Sequence, residues 1–460
     1  MRNRLSAKIV FFPIYFLLGF LVFSEVLYFI GPIDYAAKGK LLLFVYLVLL
    51  NLALFKGYEH GVVVKFKERK RNRIRVSKRV RFFPLQMVRF IILAAIIVYV
   101  LRYIFELHIY SPSSFVNKIF FAVLNSGDVY KDKLDASSPT MITYVFMVLS
   151  PIPFLAQTLG LCYWKRLTRT FKWLLVLIFF LEICSWLASG TRKGILDVLL
   201  IIGAMLLVLD PEVLVDKKKL RKFRTAILAG AGVFVLYFVI SNLSRYGIAA
   251  SDYSSFNLDS VRPFYQKCFP LAFNLVLTNL AGYLCQGYYA LSLALNDFFS
   301  QGVFCFTYGV GSSWFDINVA ENLFHVDPLP YTYQGYLATR YGIDEMVQWH
   351  TLYLWLANDF TFFGTPLVIY GFGYLTSNAW CDALSHRNKY AAPMFALCVL
   401  MIIYAFANNQ VLSFNFVPFF CVLFLYLAHN PKFGMLKKKK IERPASYSTE
   451  GNEGSCCSTQ

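Results

Sequence analysis

Cationic residues beside apolar segments carry the chemistry that this sequence most directly suggests. Residues 189–194 (Ser-Gly-Thr-Arg-Lys-Gly) form a short predicted turn in which Arg192 and Lys193 lie between glycines. Arg245 follows a later apolar run, and Arg262 lies a short way beyond it. Glycine lets a backbone approach a ligand closely, and a guanidinium can bind phosphate through two parallel hydrogen bonds. These residues predict an anion site, with contact to lipid headgroups as the alternative.

A histidine and an aspartate form a second group. His350 immediately precedes the apolar run 353–379, and Asp359 lies inside that run. An imidazole near arginines can accept a hydroxyl proton as a general base, although a structural role is the alternative. An ionisable residue within a membrane segment is costly and tends to be functional or paired. We therefore expect Asp359 to pair with one of the arginines.

Motifs for metals and nucleotides are absent from the sequence. It contains no Asp-x-Asp, no His-x-x-x-His and no glycine-rich phosphate loop followed by lysine. Cys268, Cys285 and Cys305 do not have the spacing of a zinc site, although one pair of them could form a disulfide. We expect no metal, no nucleotide and no other cofactor.

Composition identifies the class of protein. Hydrophobic residues make up 58% of the chain, and the mean hydropathy is +0.53. These values exclude an ordinary soluble protein. The net charge of +19 lies in short basic clusters beside apolar runs, which favours contact with anionic lipid over nucleic acid.

The pattern of apolar runs predicts an all-α polytopic membrane protein with about ten transmembrane helices. The predicted spans are 9–30, 40–56, 84–105, 141–163, 173–189, 195–210, 225–243, 353–379, 391–408 and 411–429. Basic residues recur in the breaks at 57–83, 164–172, 211–224 and 380–390. Because cytoplasmic loops are enriched in Lys and Arg, we expect these breaks and both termini in the cytoplasm.

One long segment differs from the rest. Residues 244–352 contain four basic and eight acidic residues, so we expect a large loop domain on the outer side. It separates an N-terminal bundle of about seven spans (1–243) from C-terminal spans (353–429) and a basic, polar tail (430–460). Within it, 270–295 could be a re-entrant hairpin or short interfacial helices, and we favour interfacial helices.

Several stretches resemble Wzy-type O-antigen polymerases. Residues 278–292, with the block Tyr-Leu-Cys-Gln-Gly-Tyr-Tyr, and 308–313 (Tyr-Gly-Val-Gly-Ser-Ser) resemble the central outer loop of that family. Residues 349–365 also resemble it, and the turn at 189–194 looks like one that these polymerases share with O-antigen ligases. The resemblance covers mainly residues 185–375.

The resemblance implies an enzyme of the bacterial inner membrane that acts at the periplasmic face. Such enzymes transfer a growing glycan from undecaprenyl pyrophosphate to a fresh lipid-linked repeat unit. They need no metal or nucleotide, and a chain-length regulator and a repeat-unit flippase in the same membrane are the implied partners. An O-antigen ligase is the nearest alternative. A flippase or transporter is another, but the sequence has no internal repeat and few ionisable residues within its predicted spans.

The resemblance also implies roles for individual residues. Arg192 and Arg245 would neutralise the pyrophosphates, His350 would be the base, and Asp359 would orient it or an arginine. The remaining candidates would bind substrate. Four of them would line a groove for the glycan: Gln286, Tyr288, Tyr289 and Tyr308. The others are Lys193, Arg262 and Arg340.

Overall fold

The computed structural model of the chain is a bundle of α-helices. It describes residues 7–72, 84–125, 129, 141–190, 193–225, 228–230, 232, 261–269, 271–343, 348–385, 388–407, 409, 412 and 415–430. Within these ranges it contains no β-strand, only an isolated bridge between Ile33 and Val261. The predicted all-α class is confirmed.

The described ranges contain fifteen α-helices, numbered in chain order. They are α1 (Ala7–Ile30), α2 (Lys40–Asn72), α3 (Leu85–Phe105), α4 (Pro112–Leu124), α5 (Met141–Leu149), α6 (Pro151–Cys162), α7 (Arg169–Ala188), α8 (Lys193–Leu209), α9 (Pro263–Cys268), α10 (Leu271–Gln301), α11 (Trp314–Phe324), α12 (Tyr333–Tyr341), α13 (Leu352–Leu384), α14 (Ala391–Ile403) and α15 (Phe416–Ala428).

Five helical segments of the described chain are long and apolar enough to cross a membrane. They are Ala7–Ile30, Lys40–Lys67, Leu85–Phe105, Met141–Cys162 and Arg169–Ala188. Shorter apolar helices follow at Ala391–Phe406 and Phe416–Ala428. The chain is therefore a multi-pass membrane protein. The predicted number of about ten spans stays a prediction, and most of the predicted span 225–243 lies outside the described residues.

Helix α2 extends well beyond the predicted span 40–56, because its later turns pack along α13. Tyr46 donates to the carbonyl of Phe362 at 3.0 Å near the start of the contact. Lys65 and Asp382 form a salt bridge of 2.6 Å near its end, so the two helices run parallel. Both partners of that salt bridge are buried.

Small residues allow α2 and α13 to approach closely. A Cβ added to Gly57 would overlap the carbonyl oxygen of Tyr370, and one added to Gly373 would overlap that of Leu54. A Cβ added to Gly61 would likewise overlap the hydroxyl oxygen of Ser377. Small residues four positions apart are a common device for packing helices in membranes.

The helices bury more ionisable side chains than the sequence suggests. Besides the Lys65–Asp382 pair, Glu25 on α1 is buried and accepts hydrogen bonds from Asn51 on α2 at 2.8 and 2.9 Å. Tyr426 on α15 donates to Asp382 at 2.7 Å. These groups bond one helix to another, which is a structural use of buried polar groups.

Residues 271–295 belong to one continuous helix, α10, of 31 residues, so the prediction of short interfacial helices is wrong here. Its inward face packs on α1, where the hydroxyls of Tyr288 and Ser24 lie 2.8 Å apart. Cys285, Tyr288, Leu291 and Leu295 on that face have no exposed surface. Their spacing of three or four residues produces a single apolar stripe, which explains why the segment forms one helix and not a hairpin.

Candidate functional site

An extended loop between α10 and α11 carries a row of exposed aromatic side chains. Phe304, Phe306 and Tyr308 are 61%, 37% and 89% exposed, whereas the intervening Cys305 and Thr307 are buried. Phe304 and Phe306 are alternate residues of an extended chain and share one face, and the ring of Tyr308 continues the row from the turn that follows, where its φ is 54°. The ring centroids lie 6.2 Å apart for the first pair and 5.0 Å for the second. We call these three residues the aromatic ladder.

The carboxylate of Asp359, on α13, fixes the end of this loop. Its Oδ1 accepts hydrogen bonds from the Thr307 hydroxyl at 2.6 Å and from the Gly309 amide at 2.7 Å. Its Oδ2 accepts from the Ser312 amide at 2.6 Å. Hydrogen bonds to an ionised acceptor are about twice as strong as neutral ones. The predicted partner of Asp359 was an arginine, but these three donors all come from the loop.

The neighbouring Asn358 joins the loop to α12. Its side-chain amide donates to the carbonyl of Gly311 at 2.8 Å and to Oε1 of Gln334 at 2.9 Å. Its Oδ1 accepts from the amide of Tyr333 at 2.9 Å. One fully buried amide therefore sets the distance between the loop and the start of α12.

A second carboxylate, Asp297 near the end of α10, holds the other side of α12. Its Oδ2 accepts hydrogen bonds from Tyr336 at 2.9 Å and Tyr341 at 2.7 Å, and its Oδ1 accepts from Gln301 at 3.1 Å. Burial raises the pKa of Tyr336 to about 12, and its hydrogen bond to Asp297 adds to the rise. Tyr336 is therefore a hydrogen-bond donor at neutral pH.

A groove of about 570 Å³ lies between the loop and α12. The ladder forms one wall, and Tyr331, Tyr336 and Thr339 contribute to the other. The remaining lining residues are Val303, Cys305, Pro330 and Gly335. None of the described residues that line the groove is charged.

Helix α13 is broken just after Asp359. Thr361 has φ 59° and ψ 169°, which lies outside the helical region. A β-branched residue rarely adopts positive φ, so this backbone is strained. Tyr46 donates to the carbonyl of Phe362, the next residue, and so satisfies a group at the break. The strain lies two residues from the carboxylate that holds the loop.

The two arginines predicted to bind pyrophosphate, Arg192 and Arg245, lie outside the described residues. Lys193, directly after Arg192, begins α8 and forms a 2.5 Å salt bridge with Asp197. Its ammonium group also lies 5.1 Å from the ring of Trp186 and 5.7 Å from that of Tyr404. This predicted substrate-binding lysine is therefore engaged within the bundle.

The other two predicted cations, Arg262 and Arg340, each lie at the C-terminal end of a helix. Arg262 donates to the carbonyl of Phe29 at 2.7 Å, with Asp34 at 3.5 Å, at the end of α1. Arg340 is exposed in the last turn of α12, beside Tyr341. In the described chain, the contacts of Arg262 are thus with α1 and the segment after it.

His350 is fully buried immediately before α13. Its ring lies 6.4 Å from that of Trp355, edge to face. An imidazole with no exposed surface is not open to a hydroxyl group from solvent, so a base at this position requires the site to open.

The predicted sugar-binding residues of α10 are buried or partly buried, whereas the rings of the aromatic ladder are exposed. Tyr288 is buried in the core against α1, and the ring of Tyr289 stacks on that of Tyr35 at 5.4 Å. Gln286 is partly buried on the same helix. Of the four residues expected to line one groove, Tyr308 is the one that lines the groove described above.

Sequence reasoning missed four residues of this region: Phe304, Phe306, Asn358 and Asp297. The alternation Phe-Cys-Phe-Thr-Tyr at 304–308 is a readable signal for an extended strand with one aromatic face. No such signal links Asn358 and Asp297 to their partners on α12, because those partners lie 24 to 44 positions away in the sequence.

Within the described residues, no group of three or more His, Cys, Asp or Glu side chains could hold a metal ion. The sequence allowed one pair among Cys268, Cys285 and Cys305 to form a disulfide, but all three are free thiols. No family model, curated protein or solved structure matches the chain.

Proposed function

We propose that the chain is a membrane polymerase of undecaprenyl-pyrophosphate-linked oligosaccharide repeat units. The observation that best supports this proposal is the joining of two predicted site residues in one hydrogen-bonded unit. The carboxylate of Asp359 binds the amide of Gly309, the residue that follows Tyr308, at 2.7 Å. The predicted catalytic helix thereby carries an exposed, aromatic and uncharged loop of the kind that suits a sugar chain.

The proposed reaction is a displacement at the anomeric carbon of the donor. The acceptor hydroxyl oxygen forms the new glycosidic bond, and the bond from the anomeric carbon to the pyrophosphate oxygen breaks. Arg192 and Arg245 neutralise the charge that develops on the leaving pyrophosphate. No nucleotide is required, because the lipid pyrophosphate is already an activated leaving group.

The acceptor proton must pass to a base, and His350 is the proposed one. Its burial means that it can act only if binding of the acceptor opens the entrance to α13. Asp359 was expected to orient His350 or an arginine. Its proposed role is instead to position the loop that carries Tyr308.

The proposed setting is the bacterial inner membrane, with the site at the periplasmic face and both termini in the cytoplasm. The substrates are lipid-linked oligosaccharides as donor and acceptor. A repeat-unit flippase supplies them, and a chain-length regulator acts on the product. No nucleic acid takes part.

The test is the loss of polymer in variants Arg192→Ala and Arg245→Ala, expressed in a strain that lacks the native gene. We expect a decrease in polymer on the order of 100-fold, the usual effect of removing one stabilising group from a site of developing charge. The variant Arg221→Ala, in an exposed basic cluster, is the control. Wild-type chain length in both site variants, with normal protein in the membrane, would refute the mechanism.

The turn at 189–194 also fits an O-antigen ligase, and the product of a deletion strain separates the two activities. Loss of a polymerase leaves single repeat units attached to their final acceptor. Loss of a ligase leaves long lipid-linked chains that are not attached.

A further inference from the structure

We propose that the groove between the aromatic ladder and α12 binds the neutral sugar chain of the substrate and does not bind its pyrophosphate. The inference deepens the proposed function and rests on it. It assigns the two chemically different parts of one substrate to two different places, with the phosphates left to the arginines. Phe304, Phe306 and Tyr331 then become sugar-binding residues together with Tyr308.

The exposed rings supply the first argument. Tyr308 is 89% exposed and Tyr331 is 69% exposed, on opposite walls of the groove. A contiguous exposed apolar patch usually marks an interaction site. Sugar rings offer flat C–H faces that stack on aromatic rings and hydroxyl edges that hydrogen-bond, and the two exposed tyrosines offer both kinds of contact.

The charge of the lining supplies the second argument. Recognition of phosphate requires cations or convergent amide donors. Among the described lining residues there is no Lys, Arg or His, and the amides of Gly309 and Ser312 are already bound to Asp359. The lining itself therefore suits an uncharged, hydroxyl-rich chain, and the cation noted beside it, Arg340, follows the lining Thr339 and is not part of the lining.

The fixed separation of the walls supplies the third argument. Asp359 holds the end of the ladder, Asp297 holds Tyr336 and Tyr341 of α12, and Asn358 bonds to both sides. A site ordered before binding loses less conformational entropy when the ligand enters. Aromatic residues that merely contact lipid headgroups would not need walls held at a set distance.

The experiment measures binding of released sugar chains to the purified full-length protein in lipid nanodiscs. The probe is a fragment of the producing strain's own surface polysaccharide, freed by mild acid so that it carries neither lipid nor pyrophosphate. We expect saturable binding that excess inorganic pyrophosphate does not reduce. Tyr308→Ala and Tyr331→Ala should each weaken binding about tenfold, as truncation of an aromatic anchor usually does.

Two further variants keep the result interpretable. Tyr308→Phe, which retains the ring, should bind nearly as well as the unchanged protein. Tyr110→Ala removes a tyrosine that is 72% exposed beyond α3, outside the groove, and should have no effect. Unchanged binding in both groove variants would overturn the proposal. Competition by pyrophosphate, or by vesicles of phosphatidylethanolamine and phosphatidylglycerol, would also overturn it.

Failure of this inference is distinguishable from failure of the proposed function. If Arg192→Ala abolishes polymer while Tyr308→Ala and Tyr331→Ala bind the probe and make polymer normally, the groove assignment falls and the polymerase stands. If the groove binds the probe but Arg192→Ala and Arg245→Ala make normal polymer, the polymerase mechanism falls and the sugar site stands.

Discussion

At the scale of single residues, Asp359 shows how one charge can organise a loop. Its carboxylate is almost fully buried and accepts three hydrogen bonds from Thr307, Gly309 and Ser312. A buried carboxylate needs such donors, because desolvation of an unpaired charge is very costly. Two of the donors are backbone amides, so the loop must keep its shape for the charge to stay satisfied.

We predict that Asp359→Asn loosens this loop. The amide group of asparagine replaces one acceptor oxygen with a donor that faces the backbone amides, and each hydrogen bond to a charged group is worth about 1.5–3 kcal/mol. Hydrogen exchange at residues 302–313 should rise at least about tenfold, with less polymer formed. Asp327→Asn, at an exposed aspartate of the same outer segment, is the control. Unaltered exchange in the Asp359 variant would contradict the assigned role.

At the scale of elements, the parallel pair α2 and α13 forms the support for the site. Asn358 and Asp359 lie on α13, and the remainder of that helix packs on α2 through glycine contacts and the Lys65–Asp382 salt bridge. The break at Thr361 separates the site-bearing part of α13 from this packed part. The part of α13 after the break is therefore the part that α2 holds, and the strained Thr361 joins it to the part that carries the site.

We predict that Gly57→Ala separates these helices. The added methyl group would overlap the Tyr370 carbonyl, which belongs to a helical backbone and cannot easily move. Overpacking of this kind usually destabilises a protein by about 1–3 kcal/mol, which thermal unfolding in detergent would detect. Gly371→Ala is the matched control on α13, because a Cβ there meets nothing within 4 Å. Equal melting temperatures for the two variants would argue against close packing at Gly57.

At the scale of the whole molecule, the distribution of charge implies an orientation. The basic breaks alternate with apolar helices, and the segment that holds the groove is mildly acidic. The positive-inside rule predicts that the groove and the basic breaks lie on opposite sides of the membrane. The proposed chemistry depends on this arrangement, since the lipid-linked substrates are used outside.

We predict that native Cys268, an exposed free thiol of the outer segment, reacts with a membrane-impermeant maleimide in intact spheroplasts. The label should disappear from that peptide in Cys268→Ser. A cysteine introduced by Lys218→Cys, in a basic break, should react only after permeabilisation. Labelling of the Lys218→Cys position in intact spheroplasts, with Cys268 protected, would reverse the topology and exclude a periplasmic site.

The sequence alone determined the class of protein and the places of most helices, because both depend on local composition. The runs 9–30 and 84–105 became α1 and α3 almost residue for residue, since about 20 apolar residues in a row have one stable state in a bilayer. The exposed tyrosine at 308 and the buried aspartate at 359 were also identified from their residue types and surroundings.

Tertiary structure decided which side chains meet. Asp359 accepts its hydrogen bonds from residues 47 to 52 positions away, and Tyr288 bonds to a serine 264 positions away. Residue types restrict such pairings but do not select among them, because many donors could satisfy one carboxylate. The selection comes from packing: the face of α10 that fits α1 buries Tyr288, and the placement of α13 brings Asp359 under the loop that leaves Tyr308 exposed.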